Sequence, residues 1–76
     1  GMLFIFPQER PVAMWMKNTP LSLDMVFIAK DGRVIRIARS TTPHSTDLIK
    51  SGGNAKGVLE LEAGRAEALK INPGDR

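Results

Sequence analysis

Asp31-Gly32 separates two apolar runs, and this pair restricts the fold of the chain more than any other feature. Asp-Gly supplies the positive φ angles that a type I′ turn demands, so the flanking runs are expected to fold back as an antiparallel hairpin. In the first run, Leu21, Leu23, Met25 and Phe27 share one face, and Ser22, Asp24, Val26 and Ile28 share the other. The return run, Val34 to Arg39, sets Ile35 and Ile37 against Arg36. A hairpin over 21–39 is therefore the centre around which the rest must pack.

The remaining segments add strands more than helices. Met2 to Phe6, MLFIF, is a continuous apolar run that Pro7 should stop, and it reads as a short buried strand. Pro7 to Pro11 reads as a polar connection bounded by prolines that cannot donate to a ladder. From Val12 to Lys17, alternation puts Ala13, Trp15 and Lys17 on one face and Val12, Met14 and Met16 on the other. Asn18-Thr19-Pro20 is a turn signal. Ser40 to Gly57 is polar and glycine-rich, which suggests a long loop with a helical turn at Asp47 to Lys50. Gly57 to Glu62 reads as a strand with Leu59 and Leu61 inward and Glu60 and Glu62 in solvent. Ala63 to Lys70 is rich in helix formers and is stopped by Pro73-Gly74. Four or five strands and one helix, without βαβ alternation, predict an α+β chain, mostly antiparallel β. Its expected form is a small, partly open barrel or sheet with one short C-terminal helix.

With 76 residues, the chain is expected to be a single domain over 1–76. A domain of this size buries only about 60% of the surface its unfolded chain exposes. No cysteine is present, which excludes disulfides and zinc–thiolate chemistry. The net charge of +3 is spread from Arg10 to Arg76 without a run of adjacent positives. Nucleic-acid surfaces concentrate their charge on one face, so nucleic-acid binding is the weakest of the functional readings. No run approaches the roughly 20 apolar residues of a membrane span. MLFIF is too short for the apolar region of a signal peptide, and no basic residue precedes it.

Chemistry concentrates in AMWMKNTPLSLDM, residues 13–25. It holds the only tryptophan, together with Lys17, Asn18, Thr19 and Asp24. A carboxylate in an apolar strand is costly unless it is paired or hydrogen-bonded. One reading makes Asp24 a structural group satisfied by Lys17 or by turn N–H groups. The other makes Trp15 an aromatic wall over a polar floor of Lys17, Asn18, Thr19 and Asp24, suited to a sugar or another small polar ligand, with the 44–54 loop closing over it. An enzyme using a Lys17/Asp24 acid–base pair, with His44 as helper, is the alternative. His44, Ser45 and Asp47 are too close in sequence to imply a triad assembled across a fold. No spacing of metal ligands and no cofactor signature is evident. The leading expectation is a non-enzymatic module that binds a small ligand or a partner.

The ordered blocks GMLFIF-P-x-E-R-P, W-M-K-N-T, L-D-M-V-F-I, D-G-R-V and V-L-E-L-x-A-G-x-A-x-x-L-x-I-x-P-G-D resemble the DUF192 family of small bacterial and archaeal proteins, over nearly the whole chain. The resemblance implies a small β-rich fold of unassigned activity, exported or periplasmic in many members. It also implies a further segment before GMLF, with an additional strand and a short helical region, which this chain lacks. An aromatic residue commonly precedes Trp-Met-Lys-Asn-Thr in the family; Met14 stands here. A missing strand leaves an apolar edge at MLFIF, so a homodimer paired through that edge is expected.

Overall fold

A computed structural model describes residues 1–76. Its elements are β1 (Met2–Met14), β2 (Leu23–Ile28), β3 (Val34–Ala38), β4 (Ile49–Glu62) and α1 (Arg65–Ala68). The strands form one sheet in the order β1-β4-β2-β3, and every neighbouring pair is antiparallel. The sheet curls without closing. Across the open seam, the Arg36 guanidinium on β3 donates to the Lys50 carbonyl on β4.

β2 is a central strand, and both of its faces are covered. Met25 and Phe27 enter the main core with Val12, Met16, Ala55 and Val58. Val26 faces the other way, into a smaller cluster with Val34 and Ala66 beneath α1. This explains why Leu23–Ile28 is apolar on both faces, with Asp24 as the single exception. Val12, Met14 and Met16 point into the main core as their alternation predicts, while Ala13, Trp15 and Lys17 remain exposed.

The hairpin forms with a different turn. Only Gly32 takes a left-handed conformation, at φ 88°. Gly32 N–H donates to Ala29 O at 2.9 Å, and Ala29 N–H donates to Arg33 O at 2.8 Å. This is a three-residue loop in which a left-handed glycine follows the turn, rather than the expected type I′ turn. The cause is local: Asp31 Oδ1 accepts the Arg33 N–H at 3.0 Å, an arrangement that does not ask Asp31 for a positive φ.

MLFIF is a strand but not a buried one. It is the outer edge of the sheet, and Met2, Leu3 and Ile5 are 57%, 54% and 67% exposed. β1 also continues through Pro7 and Pro11, because an edge strand can leave outward positions without a ladder donor. Ile5 pairs with Gly57 and Arg10 with Ala55, so residues 6–9 bulge out opposite Lys56 alone. Lys56 Nζ holds this bulge by donating to Pro7 O at 2.8 Å. A reverse bulge follows on β4, where residues 51–53 stand opposite Val12. The second half of the expected 40–57 loop is thus strand, and residues 47–50 form no helical turn. α1 is shorter than its composition suggests, because Lys70 turns left-handed at φ 57° and Ile71 N–H closes back onto Ala66 O.

Gly57 sets the approach of β1 to β4. A Cβ there would lie 2.8 Å from Phe4 O, a backbone atom that cannot move aside. Gly57→Ala is expected to lower unfolding free energy by about 1–3 kcal/mol, the usual cost of overpacking. A urea unfolding midpoint equal to that of the wild type would contradict it.

Candidate functional site

The Trp15–Thr19 corner follows β1 and is mounted on backbone hydrogen bonds. Thr19 N–H donates to Met16 O at 3.0 Å, closing a tight turn. Met16 N–H donates to Ser45 O and His44 N–H to Thr19 O, each at 3.0 Å, so the 42–45 turn is seated directly against the 16–19 turn. Met16 anchors the corner from below: it is fully buried, and the Thr41 hydroxyl lies 3.3 Å from its sulfur. On this base Trp15 is half exposed, and the Lys17 ammonium sits 5.3 Å from the centre of the indole ring. Such a contact holds both side chains in place while leaving ring surface free.

Asp24 does not join them. It lies on the α1 side of β2, opposite the face that Met25 and Phe27 present to the core. It is 1% exposed, and its oxygens accept three backbone N–H groups: Ser40 at 2.9 Å, Gly64 at 3.0 Å and Ala66 at 3.0 Å. Gly64 caps α1 and has no side chain with which to satisfy the first N–H groups of the helix. The carboxylate of Asp24, on the strand beneath the helix, does so instead. The expected pairing of Lys17 with Asp24 is therefore absent, and with it the geometry of an acid–base pair. Of the five residues singled out from sequence, Trp15, Lys17, Asn18 and Thr19 share one corner, and Asp24 is a buried structural anchor.

Thr41 ties this anchor to the corner. Its N–H and hydroxyl both donate to Leu23 O, its hydroxyl accepts the Leu23 N–H, and Ser22 donates to its carbonyl. The basic residues do not gather. Arg10 packs over Phe6, Arg36 reaches Lys50 O, and Arg39 reaches Ile71 O. No group of three or more His, Asp or Glu comes together that could hold a metal ion, and no helix is long and apolar enough to cross a membrane.

Two carboxyls titrate abnormally, both away from the corner. The Arg33 N–H, with the nearby Arg33 and Arg76 charges, holds Asp31 below its ordinary value. Desolvation raises Glu60, which pairs directly across from Met25 and Met2 rather than standing in open solvent. Sequence reasoning also missed an open groove of about 740 Å³ between the β2–β3 turn and residues 52–54 of β4. Its only sequence signal is the pair Gly52-Gly53.

The DUF192 family profile, described as "Uncharacterized ACR", matches residues 1–76. The chain belongs to the DUF192 family. Two solved structures of similar proteins share its fold. One, from Sinorhizobium meliloti 1021, is described as a "putative transcription regulator". It is 53% identical with a TM-score of 0.96, and the match covers 100% of this chain and 59% of that one. The other, from Novosphingobium aromaticivorans DSM 12444, is described as a protein of unknown function. It is 35% identical with a TM-score of 0.94, and the match covers 99% of this chain and 54% of that one. The DUF192 chain thus spans little more than half the length of either. No curated protein matches it.

Asp24→Ala would leave three backbone donors without partners and is expected to cost about 3 kcal/mol or more. Lys17→Ala, on the surface, should change stability by under about 0.5 kcal/mol. Equal urea midpoints for the two variants would refute this division of roles. For Glu60, the raised folded value means that stability falls as pH rises through it. Glu60→Gln should therefore be more stable than wild type at pH 7, and the gap should close well below the ordinary value of 4.5.

Proposed function

We propose that this DUF192 chain is a non-enzymatic binding module whose recognition surface is the Trp15–Thr19 corner. The observation that carries this reading is a half-exposed tryptophan on a rigid mount. Exposing a large aromatic face gives up the burial that would stabilise so small a domain, and the hydrogen-bonded turns hold the backbone that carries it. Lys17 supplies a cation over the indole, and Asn18 and Thr19 add amide and hydroxyl groups. The ligand class that fits is a small polar molecule with one flat apolar face, of which a sugar ring is the type. A protein partner offering such a face is the other occupant of the same surface. Asp24 supports the module from inside and has no part in contact.

A regulatory role on nucleic acid is a second reading. It is favoured by the description of the 53% identical neighbour as a "putative transcription regulator". The separate engagements of Arg10, Arg36 and Arg39 weigh against it, since phosphate tracking needs a continuous basic face.

We also propose that a second copy covers the outer edge of β1. Residues 2–7 carry no charge, so a twofold-related copy paired antiparallel meets no like charge, and both free edges are satisfied at once.

Titration with neutral sugars, amino acids and cell-envelope fragments should change Trp15 fluorescence for at least one class. Trp15→Phe, read by calorimetry, should weaken that binding about tenfold or more. A fluorescence signal flat across the whole screen would remove the small-ligand reading. Light scattering after size exclusion at micromolar concentration should give a dimer that Ile5→Lys converts to monomer; a strict monomer in the wild type would eliminate the pairing.

A further inference from the structure

We propose that the groove between the β2–β3 turn and the glycine bulge of β4 is a binding site for a phosphate monoester of a small polyhydroxylated molecule. It is separate from the Trp15 corner and does not depend on it. Lys30, Asp31 and Arg33 line the groove on the turn, Gly52, Gly53 and Asn54 on β4, and Glu9 on the bulge of β1. Its volume of about 740 Å³ is within the range of small-molecule sites.

The charges in the groove are free to act outward. The one ion pair of the chain joins Arg76 to Asp31 at 3.4 Å, and Asp31 also accepts the Arg33 N–H. Asp31 is thereby engaged within the turn and with Arg76, and neither Lys30 nor Arg33 is held in an ion pair. An ammonium and a guanidinium lining one groove suit a phosphate, where charge-assisted hydrogen bonds are strongest. Glu9 lines the same groove from a bulge held by Lys56, and its charge disfavours a second phosphate. It accepts hydroxyl protons instead, and the Asn54 amide can both donate and accept. One phosphate and several neutral hydroxyls is the pattern these groups recognise together.

Gly53 supplies the independent observation. Gly52 is left-handed, at φ 75°, so its backbone accounts for glycine there. Gly53 has no positive φ, and a Cβ on it would meet only Ile35 Cδ1 at 3.8 Å, an ordinary contact. The fold therefore has room for a side chain at 53, and glycine in a strand costs about 0.5–1 kcal/mol relative to alanine. What its absence provides is bare backbone lining the groove, where a ligand can approach closely. That backbone is also held in place: the buried Ser51 hydroxyl accepts Val12 N–H at 3.0 Å and donates to Gly53 O at 2.6 Å.

The test is calorimetric titration of the 76-residue protein with a hexose monophosphate, inorganic phosphate and the neutral hexose, with amide chemical shifts recorded alongside. The hexose monophosphate should bind, with shifts centred on residues 30–33 and 52–54. Inorganic phosphate and the neutral hexose should each bind at least about tenfold more weakly. Lys30→Ala with Arg33→Ala, and separately Gly53→Ala, should each weaken binding about tenfold or more, while the urea midpoint of Gly53→Ala is at or above that of the wild type. Trp15→Phe should leave this binding unchanged, which separates it from the corner. The proposal is overturned if no hexose monophosphate binds at millimolar concentration, if inorganic phosphate binds equally well, or if Gly53→Ala binds as wild type does.

Discussion

One carboxylate organises the connections of this molecule. Asp24 projects from the central strand and accepts N–H groups from Ser40, just beyond β3, and from Gly64 and Ala66 at the start of α1. These segments are far apart in sequence, and the carboxylate joins them at one buried point, beside the Val26, Val34 and Ala66 cluster. α1, a single turn, is too short to persist as an isolated helix. Ser40 holds a left-handed conformation, φ 49°, that a non-glycine residue adopts only when its surroundings require it. Both are kept in place by the same buried acceptor, so a polar atom inside the fold acts as its fastener rather than as its weak point.

The second organising device is the paired irregularity of β1 and β4. One bulge adds residues to β1 at 6–9, and the other adds residues to β4 at 51–53. Bulges bend and twist a strand, and these let one long strand run past the end of the β2 pairing and curl toward β3. The curl encloses the main core. It also leaves an open seam and a groove at the hairpin turn, so the surface features follow from how the sheet bends rather than from a dedicated loop.

The candidate corner was partly legible in the chain. The alternation of Val12, Met14 and Met16 against Ala13, Trp15 and Lys17 is local, and the structure keeps it. Asp24 was legible as a polar group on the Val26 side of β2, but its partners lie 16, 40 and 42 residues away. A search among near neighbours therefore found Lys17, which instead stacks on Trp15. The groove was not legible, because Glu9 on β1, Lys30 on the β2–β3 turn and Gly53 on β4 are brought together only by the curled sheet.

The sequence by itself determined the antiparallel, strand-dominated character of this DUF192 protein, the hairpin at Asp31-Gly32, which side chains share a face over 12–17 and 21–28, and the short C-terminal helix. These follow from side-chain periodicity and turn chemistry, which act over a few residues. Tertiary structure alone decided that Met2–Phe6 is an edge rather than core, that β4 begins at Ile49, and that Asp24 caps a helix instead of meeting Lys17. Strand order and the partner of a buried charge depend on contacts between distant segments, and no local pattern encodes which of several distant donors a carboxylate will reach.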